Sequence, residues 1–129
     1  MAKFTSRLAT YNLDPNYANG RGLWVLTEPL VYESDVAGMT ITVPAGFQTD
    51  FASVLRLPVI YFLFGDRAHA AATVHDYLYN TALVPRKVAD DVFSEAMDVS
   101  TDLSAVSRWL MWSAVRLFGG NAYGKANHE

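Results

Sequence analysis

A chain of 129 residues with 51% hydrophobic side chains is long enough for one compact domain with a buried core and too short for two. It has no cysteine, which excludes a disulfide framework and a thiolate metal site and leaves oxygen or imidazole to hold any metal. With 10 basic residues against 13 acidic ones and a formal charge of −3, the chain has no global attraction for nucleic acid or anionic lipid.

Residues 1–21 mix polar and small types around Asp14-Pro15-Asn16 and Asn19-Gly20, and they read as an amino-terminal arm with two turn signals. The arm has no apolar signal core. The longest apolar run, LPVIYFLFG from Leu57, falls far short of the roughly 20 residues that a membrane span needs. A protein made in a cytoplasm, with no transmembrane segment, is expected.

From about 22 to 50 the texture changes to short runs of Val, Ile, Thr and aromatic residues, broken by Pro29, Asp35, Gly38, Pro44 and Gly46. Strands are predicted near 23–27, 30–33, 39–43 and 47–49, making one small antiparallel sheet or meander. Met39, Ile41 and Val43 alternate with Thr40 and Thr42, the period of a strand with one buried face. The segment 51–65 is apolar and irregular, with Arg56 its only charge and a short helix predicted over 58–64.

Three helices follow, at about 66–80, 85–99 and 103–118. Asp66 suits the N-cap of the first, and Pro85 suits the first turn of the second, where a missing N–H costs little. Asp102 or Ser104 caps the third, Gly119-Gly120 ends it, and residues 121–129 form a polar tail. Strands first and helices afterwards give an α+β domain spanning 1–129. A loop of a few residues sets the first two helices antiparallel.

The candidate site lies on those two helices. On the first, His75 falls in the middle of an apolar arc of Ala71, Val74, Leu78 and Tyr79, with Asp76 about 100° round at its edge. An imidazole aimed into a core needs a partner, because an unpaired buried polar group costs about 1–3 kcal/mol. On the second helix Asp90 lies just beyond the apolar face, while Asp91 points to solvent. The antiparallel arrangement brings Asp90 towards His75 and Tyr79. A carboxylate on one imidazole nitrogen fixes the tautomer and leaves the other to take a proton from water. Asp76, together with Asp50 of the turn GFQTDFAS, is the candidate pair for a divalent cation, calcium ahead of zinc, since hard ions take several oxygen ligands.

An ordinary alternative stands beside each assignment. His75 reads equally as a satisfied core histidine. Asp90 is spaced i, i+4 from Arg86, which suits a surface pair contributing a few tenths of a kcal/mol, roughly. Asp76 has His69 or Arg67 as alternative partners, and Asp50 and Ser53 suit a turn whose side chains cap backbone amides.

The run AAATVHDYLYN followed by RKVADDVFSEAM resembles the core of the phospholipase A2 fold, above all the compact version carried by parvovirus capsid proteins. Those show a His-Asp-x-x-Tyr helix and then an Ala-Asp pair on an antiparallel helix. The resemblance implies His75 as general base, Asp76 as calcium ligand, Tyr79 as a support and Asp90 as the carboxylate that orients the histidine.

A broader resemblance spans residues 43–120. The blocks VPAGFQTDFASV, HDYLY, RKVAD and AVRLFGG are similar to an uncharacterised family of short phage and prophage proteins whose pattern reads Thr-Asp-Phe-Ala-Ser-Val-Pro-Arg. This chain has Leu55 at the proline and keeps Arg56. This second resemblance implies a phage context. With the placement of His75 between carboxylate-bearing helices, the expectation is a virion-associated (tail or cell-entry) protein, made in the host cytoplasm, with a metal-assisted, hydrolase-like His-Asp site acting on lipid or peptidoglycan at the host envelope. The alternative is a non-catalytic structural or adaptor component whose partners are other phage structural proteins.

Overall fold

Pro29 lacks the N–H that a ladder needs, and Gly46, at φ 90°, takes a backbone conformation that residues with a Cβ avoid. Both sit where the chain leaves one sheet for another. The structure, a computed structural model, describes residues 2–16, 23–49 and 69–100, together with 109, 112, 113 and 116. Within them the strands are β1 (Lys3–Phe4), β2 (Thr10–Asp14), β3 (Leu23–Leu26), β4 (Leu30–Ser34), β5 (Met39–Val43) and β6 (Gln48–Thr49). Two helices follow, α1 (His69–Thr81) and α2 (Arg86–Ser100).

The strands form two antiparallel sheets of three, ordered β1-β4-β5 and β2-β3-β6. Three passes of chain account for both sheets, because each pass bends from one to the other: β1 into β2, β3 into β4 and β5 into β6. The bends are held side by side. At the first two, Ser6 Oγ accepts from Val31 N at 2.8 Å and donates to Pro29 O at 3.2 Å. At the last two, Gly46 N donates to Leu26 O at 2.8 Å.

This replaces the single small sheet or meander followed by three helices. The alternating apolar pattern shows where strands lie, but a proline or a glycine marks a bend and a turn alike, so one sheet and two read the same in sequence. The segment read as an arm supplies β1 and β2, which are too short or too exposed to show a period; Tyr11 and Leu13 of β2 both face solvent. Among the described residues two helices are bounded, not three. The stretch 103–118 contributes Trp109, Trp112, Ser113 and Arg116, helical at those positions, and these do not delimit a third element. The expected helix over 58–64 and the tail 121–129 lie outside the described residues.

The core forms between the β1-β4-β5 sheet and the helix pair. Leu30 faces Val43 and Tyr32 faces Ile41 across the β4–β5 ladder, and all four are buried. Phe4 adds its ring 4.6 Å from that of Tyr32. α1 packs on β4 and β5, while α2 packs on β1 and β4. α1 contributes Ala71, Val74, Leu78 and Tyr79, and α2 contributes Ala89, Val92, Phe93, Ala96 and Met97, the i, i+3, i+4 spacing of helices with one buried face. Ala82, at φ 49°, turns the chain between the helices. Pro85 O then accepts from Ala89 N at 3.0 Å to open α2.

Candidate functional site

The short connection between α1 and α2 folds one helix back along the other, so residue 79 meets residue 86 and residue 75 meets residue 90. His75 and Tyr79, one turn apart on α1, both reach Asp90 near the start of α2. His75 Nε2 lies 2.8 Å from Asp90 Oδ1, and the Tyr79 hydroxyl donates to the same oxygen at 2.5 Å. An ionised carboxylate only accepts, so Nε2 carries the proton here. The imidazole is packed between the rings of Tyr79, 4.1 Å away, and Phe93, 5.0 Å away.

The other carboxylate oxygen faces cations. Arg116 Nη1 donates to Asp90 Oδ2 at 3.0 Å, and Arg86 Nε lies 4.0 Å from it. Arg86 also donates to the Tyr79 hydroxyl at 3.2 Å and to the Arg116 carbonyl at 2.5 Å. The i, i+4 pair and the His-Asp pair, which are rival readings of the sequence, therefore share one carboxylate, an oxygen for each.

His75 and Asp90 are both 0% exposed. Burial alone pushes the Asp90 carboxyl up, but the hydrogen bonds from His75 and Tyr79, the charge of His75 and the bond from Arg116 outweigh it and hold the group below the usual carboxylate range. Burial, and then the bond to Asp90, push the Tyr79 phenol well above its ordinary value. The centre thus holds an anionic aspartate and a neutral phenol.

Asp76 turns elsewhere. It is 6% exposed and accepts from the hydroxyl of Thr49, the last residue of β6. The edge of the helical arc, which the spacing assigns to Asp76, is buried, and Thr49 of the second sheet reaches it there. Asp50 and Ser53 lie outside the described residues. Among the described residues no three His, Asp or Glu side chains converge to hold a metal ion.

Three features escape a reading of sequence. Arg116 completes the Asp90 pair, and the signal for it is a lone guanidinium in the otherwise apolar run LMWSAVRLFGG. Asp91 accepts from Trp112 Nε1 at 2.7 Å and from Lys87 Nζ at 2.8 Å, rather than standing alone in solvent. Glu95 collects four neutral donors at the β4–β5 turn: the hydroxyls of Tyr32 and Ser34, each at 2.8 Å, and the amides of Asp35 at 3.1 Å and Val36 at 3.0 Å.

The family model described as Protein of unknown function (DUF1353) matches residues 24–115, and the chain belongs to that family. No curated protein and no solved structure matches it.

Proposed function

We propose that this member of an uncharacterised family is a non-catalytic structural or adaptor component of a phage particle, in which the Asp90 network sets the register of the helices. The observation that carries the reading is the burial of His75 and Asp90 at 0% exposure, with both carboxylate oxygens engaged by His75, Tyr79 and Arg116. A general base needs a water or substrate within reach of its nitrogen, whereas a register device needs its groups sealed and satisfied. Replacing a whole buried ionic network by apolar residues often costs little, while removing one member costs about 3–5 kcal/mol. Such a network therefore contributes one arrangement of helices more than it contributes net stability. The phage context rests on the four sequence blocks between residues 43 and 120.

A second reading, a hydrolase acting at the host envelope, is favoured by the 2.8 Å contact of His75 Nε2 with Asp90. In that reading His75, oriented by Asp90, is the general base that activates water. Asp76 lies next to His75 in sequence, and its bond from Thr49 sets it beside the strand that leads to Asp50. These two aspartates are the proposed ligands for calcium or zinc in that reading, and lipid or peptidoglycan is the proposed substrate.

Hydrolysis assays separate the readings. Purified protein is incubated with phospholipid vesicles and with peptidoglycan, in the presence of calcium, of zinc or of chelator. The structural reading expects no turnover under any condition, in wild type or in His75→Ala. Turnover by wild type that His75→Ala abolishes overturns it in favour of the hydrolase.

A further inference from the structure

The outer face of α2, away from His75, borders a cleft of about 510 Å³ lined by Val36, Asp91, Ser94, Glu95, Asp98, Trp109 and Trp112. Its volume lies in the range of small-ligand pockets. Three of its side chains are carboxylates and two are indoles. Trp109 is 61% exposed, a large apolar surface left open to solvent at the mouth of an acidic cleft. Trp112 is fixed by its N–H on Asp91.

The charge at the floor of the cleft is preorganised. Among the described residues, every hydrogen bond that Glu95 accepts comes from a hydroxyl or an amide, so its position is held without a described cation paired to it. Asp91 has Lys87 as an ion-pair partner at 2.8 Å, but that ammonium is 67% exposed, where such pairs contribute little. An indole face beside fixed carboxylates attracts a cation through the ring quadrupole and through charge together. An arginine or lysine stem would also cover Val36, which is 47% exposed.

We propose that this cleft receives a cationic side chain, arginine or lysine, presented by a partner protein. The inference stands apart from the choice between structural and catalytic readings, because the cleft and the His75–Asp90 pair use different faces of α2. It gives an adaptor a docking point of stated chemistry: a basic segment whose charged side chain lies against Trp109 and above Glu95.

The test uses the full chain and the blocked tripeptide acetyl-Gly-Arg-Gly-amide, with its citrulline counterpart as the neutral isostere. The indole N–H resonances of Trp109 and Trp112 are followed by NMR at low salt, with Trp24 as internal control. The arginine peptide is expected to shift Trp109 and Trp112 saturably and to leave Trp24 in place, with no saturable shift from the citrulline peptide. Trp109→Ala, at an exposed position that leaves the core intact, is expected to weaken binding at least about fivefold, read from Trp112. Absence of a saturable shift, equal response to the two peptides, or unchanged affinity in Trp109→Ala overturns the proposal.

Discussion

Asp90 and Asp91 are neighbours in sequence, yet they belong to two different regions of the molecule. Asp90 is buried and faces a histidine and two guanidiniums. Asp91 sits on the rim of the outer cleft with an indole N–H and an exposed ammonium. Each binds a side chain of the 109–116 stretch, Arg116 for one and Trp112 for the other. One turn further along α2, Glu95 accepts, among the described residues, only from neutral donors. The inner region matches charge with charge and seals it. The outer region fixes part-buried negative charge along the cleft. On the proposed reading the inner carboxylate holds the helices in register and the outer ones meet a partner's cation.

Substitution along α2 sharpens the contrast. Asp90→Ala removes the carboxylate that His75, Tyr79 and Arg116 share, and a loss of about 3–5 kcal/mol is expected in denaturant unfolding. Glu95→Ala takes the acceptor from the buried Tyr32 and Ser34 hydroxyls and from two turn amides, so a loss of about 1–3 kcal/mol is expected. Asp91→Asn keeps an acceptor for Trp112 and gives up an exposed ion pair, and a change of no more than about 1 kcal/mol is expected. If Asp91→Asn costs as much as Asp90→Ala, the division into inner and outer regions fails.

Acid titration gives a finer test. The folded-state pKa of Asp90 is lowered, so its stabilisation is fully present above the unfolded value of about 4 and is lost as pH falls from there through the folded pKa. Asp90→Asn is therefore expected to be destabilised at neutral pH and to show a shallower loss of stability below about pH 4 than wild type. Parallel acid limbs for the two proteins would remove Asp90 as the source.

What the sequence made legible follows from range. His75, Tyr79 and Asp90 meet because i, i+4 spacing and a four-residue connection fix their geometry locally, and a helical projection is enough to bring them together. Asp76 depends on Thr49 of β6, whose position is set by how three bent passes stack. No local period encodes that, so a carboxylate assigned to the edge of an apolar arc is found buried. Arg116 and Trp112 come from a stretch more than twenty residues beyond Asp90 and Asp91, and their contacts are equally invisible to a period. The split into two sheets is hidden for a related reason. Pro29 and Gly46 announce that the chain changes direction without saying whether it turns back or bends onward into a second layer.

The most direct test of the central claim, that the His75–Asp90 pair is a sealed register device, is the melting temperature of His75→Ala against wild type. Loss of the imidazole empties a packed site between Tyr79 and Phe93 and removes a partner from Asp90, so a fall of at least about 5 °C is expected. A melting temperature that stays level or rises would contradict the account and mark the histidine as a strained functional group.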